Sequence, residues 1–246
     1  MKVRAIIGSL AVATLVALPG ATQAALFLDS WGVTYGNWAP NGSAPTNLSY
    51  VVEDWTSGGG GYLDPGYGGD EYDAEAAYLA VDANYVYIAV VTGFQPGGRQ
   101  FYSDFYEAGD LLLDEGGDGS YEHAVDVSAG GTLRSGNLGL ANPTTFGGTA
   151  FAGVSDPLLA TSWDQSAAIS GFSYSAWQGR YAIEARIDRD LLDPTGALKL
   201  HWTMGCGNDE IETSIEVRPV PEPGSMALLG VGVGVAAIFQ ARRRKK

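Results

Sequence analysis

Apolar and polar residues alternate along several short stretches in the second half of the chain. A period of two places alternate side chains on opposite faces of a β-strand, so it predicts strands with one buried and one wet face. The pattern occurs at residues 180–188, 198–204 and 211–217. In the first of these strands, the predicted apolar face carries Tyr181, Ile183, Ala185 and Ile187, and the predicted wet face carries Arg180, Glu184, Arg186 and Asp188.

Two further pairs of predicted strands are separated by tight turns and should form hairpins. Residues 76–82 and 85–92 flank a two-residue turn, and residues 110–114 and 121–127 flank a glycine-rich turn. The strand at 85–92 is apolar on both faces, so we expect it in the middle of a sheet. With about eight predicted strands and no internal repeat, the chain is predicted to be all-β, an antiparallel β-sandwich of the jelly-roll type.

The composition agrees with an all-β fold and suggests its extent. The chain has 35 glycines and only 17% charged residues, which suits short strands joined by tight turns. Residues 25–67 are rich in Gly, Asn, Pro and Trp and are expected to form an irregular N-terminal part, with one short strand at 50–55. Residues 68–217 hold the predicted sandwich.

The N-terminus has the layout of a Sec-type signal peptide. Two basic residues precede an apolar stretch at 5–18, and small residues follow. This stretch is too short to span a bilayer comfortably. We therefore predict a signal peptide over residues 1–24, which signal peptidase would remove after Ala24 or Ala25.

The C-terminus combines three features in a fixed order. Pro221, Glu222 and Pro223 precede an apolar stretch at 224–241, and five basic residues follow at 242–246. As a helix, the apolar stretch would be roughly 27 Å long, which is enough to cross a bilayer core. The basic tail would then stay on the cytoplasmic side.

This arrangement, over residues 220–246, resembles the PEP-CTERM sorting signal of Gram-negative bacteria. The resemblance implies that an exosortase recognises the motif in an inner-membrane-anchored precursor and removes the helix and tail. The mature protein would then reach the cell surface or the extracellular matrix. The alternative is a single-pass tail anchor.

Between the two termini the chain is strongly acidic. Seven basic residues stand against 27 acidic ones, which gives a net charge of −20 for this part. Such a field repels nucleic acids and anionic membrane surfaces, and it favours divalent cations or simple solvation. Cys206 is the single cysteine, so it cannot form an internal disulfide and is expected to be a buried small apolar residue.

Several segments of the middle region resemble family-nine-like carbohydrate-binding modules and their DOMON relatives. They include residues 68–76, 87–93 and 118–122. Together with residues 202–209, they also resemble a recurrent ectodomain of PEP-CTERM proteins. The resemblance extends over residues 68–217 and implies the sandwich fold, whereas sugar binding does not follow from the fold alone.

Two groups of acidic residues are candidate Ca²⁺ ligands. Asp114, Asp118 and Glu122 lie around the glycine-rich turn, which could bend so that several oxygens converge on one ion. The alternative is a hairpin turn with solvated acids. Asp70, Asp73 and Glu75 precede a strand, and their mutual repulsion would be relieved by a cation or by an arginine such as Arg99.

Four aromatic residues in a loop between two strands are the candidate ligand contacts. Loop aromatics can stack on the apolar faces of sugar rings. The alternative is ordinary packing against the core. The four residues are Phe101, Tyr102, Phe105 and Tyr106.

The sequence gives little support to catalysis. His123 and His201 lie on predicted strands, and no nucleophile elbow, zinc-binding helix or phosphate loop is present. We therefore expect a surface or matrix protein that is not an enzyme and binds an exopolysaccharide, with Ca²⁺ as an optional cofactor. A purely structural or adhesive matrix component is the alternative. A third hypothesis, a glycoside hydrolase, would require two carboxylates facing one cleft.

Overall fold

The computed structural model describes residues 27–53, 68–144, 157–192, 194 and 196–217. Within these residues, the regular structure consists of β-strands and two short 3₁₀ turns. The strands are β1 (Asn47–Val52), β2 (Ala74–Val81), β3 (Tyr85–Thr92), β4 (Arg99–Phe101), β5 (Asp104–Tyr106), β6 (Leu111–Glu115), β7 (His123–Asp126), β8 (Thr132–Ser135), β9 (Gly139–Ala141), β10 (Leu159–Ser162), β11 (Gln165–Ala168), β12 (Gly171–Trp177), β13 (Arg180–Asp188), β14 (Gly196–Thr203) and β15 (Glu210–Val217).

The first large sheet has five antiparallel strands in the order β1-β2-β3-β13-β12. The predicted hairpin of β2 and β3 is present, and β3 lies in the middle of the sheet as its two apolar faces predicted. The connecting turn is fixed by Asp82, whose carboxylate accepts the backbone N–H groups of Asn84 and Tyr85 at 2.7 and 2.8 Å. An Asx turn of this kind sets the hairpin register.

The second large sheet has six antiparallel strands in the order β11-β8-β7-β6-β14-β15. The predicted hairpin of β6 and β7 is present, with Leu113 directly opposite His123. Two small ladders, β4-β5 and β9-β10, lie outside the large sheets.

The main core lies between the inner faces of the two large sheets. Ile88 and Val90 of the first sheet belong to one buried cluster with Leu111, Leu113 and Trp202 of the second. Burial of this many apolar side chains is the main source of stability for the sandwich. The predicted all-β sandwich is therefore confirmed.

The N-terminal segment, residues 27–46, covers the outer face of the first sheet. Phe27, Leu28 and Trp31 are buried there against outward-facing residues of β2, β3 and β13. As a result, Glu184 is fully buried, and the prediction that this face of β13 is wet was wrong. The cover comes from a segment distant in sequence, so the alternation within β13 carried no sign of it.

The irregular N-terminal part is held to the sheet by polar contacts as well as by aromatic packing. The Tyr78 hydroxyl donates a hydrogen bond of 2.8 Å to the backbone carbonyl of Trp38, and the Trp177 indole N–H donates one of 2.8 Å to Asp29. The short strand expected here is β1, a few residues earlier than predicted.

The predicted signal peptide and the predicted sorting segment at 220–246 lie outside the described residues. Among the residues that the structure does describe, no helix is long and apolar enough to cross a membrane.

Candidate functional site

A two-stranded hairpin of β4 and β5 presents three aromatic side chains to solvent. Tyr102 is 80% exposed, Phe105 is 60% exposed and Phe101 is 43% exposed. The rings of Phe101 and Tyr102 meet edge to face with centroids 4.8 Å apart. These are three of the four predicted ligand contacts. The fourth, Tyr106, is buried in the main core and anchors the hairpin.

The tip of this hairpin is fixed by a side chain and by local backbone geometry. The Gln100 amide donates hydrogen bonds of 2.9 Å to the backbone carbonyls of Tyr102 and Asp104. Tyr102 adopts a left-handed backbone conformation with φ of 51°, which is uncommon outside glycine. Costly backbone conformations of this kind persist only where the surrounding structure enforces them.

The base of the hairpin is tied to the body of the protein. Arg99 forms an ion pair with Glu71, and its guanidinium lies 5.4 Å from the ring centroid of Tyr72. The ring of Phe105 lies against Gly98, where a Cβ atom would come within 2.4 Å of it. A Cβ atom on Gly98 would also lie 2.7 Å from the backbone carbonyl oxygen of Tyr106, and φ at Gly98 is 73°, so glycine is required at this position.

The first predicted Ca²⁺ cluster serves to hold a turn. The Asp114 carboxylate accepts the backbone N–H groups of Gly117, Asp118 and Gly119 at 2.9, 3.2 and 2.9 Å. Asp118 accepts the N–H of Ser120, and Glu122 accepts the N–H of Glu115, each at 2.8 Å. These carboxylates satisfy backbone donors of the hairpin instead of converging on a common point.

The second predicted Ca²⁺ cluster is neutralised by arginines. Arg180 forms ion pairs with both Asp70 and Glu75, and its guanidinium donates a hydrogen bond of 2.8 Å to the Tyr35 hydroxyl. The expected relief by Arg99 is also present, through Glu71. Within the described residues, no group of three or more His, Cys, Asp or Glu side chains is arranged to hold a metal ion. Calcium binding by either cluster stays a prediction.

A buried carboxylate that was not predicted, Asp209, lies beside the second cluster. Asp73 and Asp209 are both fully buried, and Asp209 accepts the backbone N–H groups of Ala74 and Glu210 at 2.7 and 2.9 Å. Burial, with a further contribution from the charge of Asp73, raises the pKa of Asp209 to about 8. Directly before β6, burial likewise raises the pKa of Asp110 to about 6.

Of the two histidines, His201 lies in the interior of the protein. It is fully buried, with Nδ1 3.1 Å from Glu212 and Nε2 3.0 Å from the carbonyl oxygen of Pro157. Cys206 is buried too, and burial raises the pKa of its thiol to about 12, so it lacks the thiolate character of a nucleophile.

His123 lies at the end of the second sheet, beside a serine and a glutamate. Its Nδ1 is 2.7 Å from the Ser135 hydroxyl, and its Nε2 is 3.4 Å from a Glu115 oxygen. The second distance is longer than an oriented hydrogen bond, so Glu115 lies near the imidazole without a well-formed hydrogen bond to it.

The C-terminal segment of the chain matches a known protein-sorting motif. The model of the PEP-CTERM protein-sorting motif matches residues 219–245, which include Pro221, Glu222, Pro223, the apolar stretch and most of the basic tail. No curated protein and no solved structure matches the chain. The β-sandwich agrees with the fold expected from the carbohydrate-binding modules, and that resemblance itself remains a prediction. The chain is therefore an exported protein with a PEP-CTERM motif, sorted by an exosortase from a membrane-anchored precursor to the cell surface.

Proposed function

We propose that the mature protein is a component of the cell surface or extracellular matrix of a Gram-negative bacterium and binds polysaccharide through the β4-β5 hairpin. The observation that supports this most is the exposure of Phe101, Tyr102 and Phe105 on one stiff hairpin. Exposed rings in water are unfavourable unless a partner covers them. Aromatic faces are suited to the apolar faces of sugar rings.

The stiffness of the hairpin favours binding. A ligand that meets preordered rings does not have to order them, so less conformational entropy is lost on association. Gln100 fixes the tip and Arg99 fixes the base, so the rings are held before any ligand arrives. Three rings are too few for tight binding, but many copies on one polymer surface would give avidity.

The proposed contact does not use calcium, and it assigns no catalytic step to the chain. Five of the six candidate ligands already have partners: Asp114, Asp118 and Glu122 accept backbone N–H groups, and Asp70 and Glu75 pair with Arg180. We therefore expect polysaccharide retention to be equal in calcium and in a chelator.

Binding to immobilised polysaccharides, including the exopolysaccharide of the producing organism, tests the proposal. Tyr102→Ala and Phe105→Ala should each reduce retention by about tenfold, because each removes an exposed ring at the tip. Tyr50→Ala is the matched control, since Tyr50 is 43% exposed but lies on β1, away from the hairpin. No retention on any polysaccharide, with or without calcium, would contradict the proposal.

A structural or adhesive role without a sugar ligand is the second candidate, and the same exposed rings favour it. An exposed apolar tip can equally pack against another protein of the matrix. In that case sedimentation would show self-association that Tyr102→Ala abolishes, and no polysaccharide would retain the wild type.

A further inference from the structure

A hydroxyl, an imidazole and a carboxylate lie in a line at one end of the second sheet. The Nδ1 atom of His123 is 2.7 Å from the Ser135 hydroxyl, and its Nε2 atom is 3.4 Å from the Oε1 atom of Glu115. His123 is directly opposite Ser135 on β8 and directly opposite Leu113, a residue of the main core, on β6. The imidazole and the hydroxyl therefore lie on the inner face of the sheet.

The carboxylate of Glu115 sets the place of the proton on the imidazole. Its Oε1 atom and the His123 side chain are both buried, so water screens the charge poorly where it faces Nε2. A carboxylate beside Nε2 favours the tautomer that carries its proton on that nitrogen. Nδ1 is then the basic nitrogen, and the Ser135 hydroxyl donates its hydrogen bond to it. A serine that donates to an imidazole with a carboxylate behind it is the arrangement of an activated nucleophile.

The Ser135 hydroxyl group faces a space that a small molecule can enter. Ser135 is half-buried, and it lines a cavity of about 400 Å³ together with His123 and Gln165. Gln165 is exposed and lies directly opposite Ser135 on β11, so its side-chain amide is a hydrogen-bond donor beside the hydroxyl. The nucleophile, its base and a donor for a developing negative charge are thus present in one cavity.

The other walls of the cavity indicate the class of substrate. One wall is apolar and includes Leu191 and Leu192, which suits a short acyl chain. The acidic residues Glu115 and Glu122 also line the cavity, and no lysine or arginine is among its described lining residues. Negative charge disfavours an anionic substrate, so an uncharged ester is favoured.

We propose that Ser135 is the nucleophile of an esterase site, with His123 as its general base and Glu115 as a positioning residue. The Ser135 oxygen attacks the carbonyl carbon of a small neutral ester while His123 Nδ1 takes the hydroxyl proton. The bond from that carbon to the alcohol oxygen breaks, and His123 returns the proton to the departing alcohol. Water then attacks the acyl-serine in the same way, which releases the carboxylic acid and restores Ser135. The Gln165 amide donates to the carbonyl oxygen as it becomes negative.

This activity departs from the expectation, drawn from the sequence, that the chain is not an enzyme. The hydroxyl, the imidazole and the carboxylate come from β8, β7 and β6, so they form no local motif such as a nucleophile elbow. The site is also independent of the proposed polysaccharide contact, because none of its described lining residues belongs to the β4-β5 hairpin.

A fluorophosphonate probe tests the nucleophile directly. The Ser135 oxygen should bond to phosphorus and displace fluoride, so the mature protein from the native host should gain the mass of one phosphonyl group, which peptide mass spectrometry places on Ser135. Ser135→Ala should prevent labelling. Ser166→Ala is the matched control, since Ser166 lines the same cavity but its hydroxyl accepts a hydrogen bond of 2.9 Å from Arg134. No labelling of the wild type, or labelling only at another residue, would overturn the proposal.

Hydrolysis of p-nitrophenyl acetate measures the complete reaction. Ser135→Ala and His123→Gln should each lower kcat/KM by about a hundredfold or more. Glu115→Gln should lower kcat and leave KM unchanged, because Glu115 acts through the imidazole and does not touch the ester. Ser135→Ala removes only a half-buried hydroxyl group, so it tests the site even if His123→Gln does not fold.

Two results would contradict the site: a Ser135→Ala variant as active as the wild type, or a folded His123→Gln variant that the probe still labels at the wild-type rate. Circular dichroism checks folding. Retention of Ser135→Ala on polysaccharide should equal that of the wild type, so failure of the esterase and failure of the hairpin contact are distinguishable.

Discussion

The carboxylate of Glu184 accepts the backbone N–H of Leu28 at 3.0 Å, across 156 residues of sequence. The same oxygen accepts the N–H of Phe27 at 2.9 Å. Glu184 is fully buried in the middle of β13, where an ionised side chain is tolerated only with strong partners. This contact joins the N-terminal segment to the first sheet. Because the segment covers the outer face of the sheet, the carboxylate of Glu184 on that face lies in the interior of the protein.

Replacing Glu184 with alanine should destabilise the protein strongly. The change leaves two buried N–H groups without their acceptor and opens space under the N-terminal segment, and we expect a loss of about 2–5 kcal/mol in the free energy of unfolding. Urea unfolding measures it. Glu216→Ala on β15 is the control, because Glu216 is exposed. A loss for Glu184→Ala no larger than that of the control would show that the contact contributes nothing.

Two arginines that each pair with glutamate should differ widely in their effect on stability. Arg180 pairs with Glu75, which is 0% exposed, whereas Arg99 pairs with Glu71, which is 64% exposed. Arg180→Met leaves a buried carboxylate without its cation and should cost about 3–5 kcal/mol, whereas Arg99→Met should cost less than about 1 kcal/mol. Chemical denaturation of both variants checks the order. Equal losses would argue against the burial of Glu75 as the cause.

Short-range sequence patterns encode the strands of this fold, but they do not encode contacts between distant segments. The bounds of β13 and the central place of β3 followed from periodicity, because alternation and continuous apolarity are local properties of a strand. The burial of Glu184 did not follow, because its cover is a segment without periodicity. Ser135 lies directly opposite both His123 and Gln165, and this placement depends on the register of three strands, which no single stretch of sequence specifies.

The sequence pattern also could not distinguish calcium ligands from acids that stabilise a turn. Acids around a glycine-rich turn suit a metal site and an Asx-type turn equally well at the level of sequence. In the structure the Asp114 carboxylate serves the turn, since it accepts three backbone N–H groups. A more specific signal was the spacing of Asp114 from Gly117 and Gly119, whose positive φ angles of 70° and 90° curl the chain around the carboxylate.

Thermal stability should fall as the pH rises from about 5 to about 8.5. The pKa of Asp209 is raised from 3.8 to about 8, and that of Asp110 to about 6, in both cases chiefly by burial. The folded state therefore holds protons that the unfolded state releases, so the stability present at low pH is lost as the pH approaches the folded-state pKa. We expect the melting temperature to drop by more than about 5 °C over this interval.

Asp209→Asn, which cannot ionise, should flatten this pH profile, and Glu216→Gln should leave it unchanged because Glu216 is exposed and shifts the pKa of neither Asp110 nor Asp209. Calorimetric melting at several pH values measures both. Burial acts to raise the pKa values of Asp126 and Glu212, but their hydrogen bonds and charged neighbours together lower both, so their stabilisation is lost only in acid, below this interval. A melting temperature that rises between pH 5 and 8 would contradict the assignment.

The sorting motif predicts the mass of the mature protein. An exosortase that recognises Pro221, Glu222 and Pro223 should remove the apolar stretch and the basic tail, so protein from the native host should lack residues 224–246. Intact-mass spectrometry measures this directly. Glu222→Ala should prevent recognition and leave the chain in the membrane fraction at a mass that includes the C-terminus, while Glu216→Ala, a short distance upstream and exposed, should be processed as the wild type. A mature wild-type mass that still includes residues 224–246 would instead favour the tail anchor, because an apolar stretch that crosses the bilayer holds the chain there whether or not a motif precedes it.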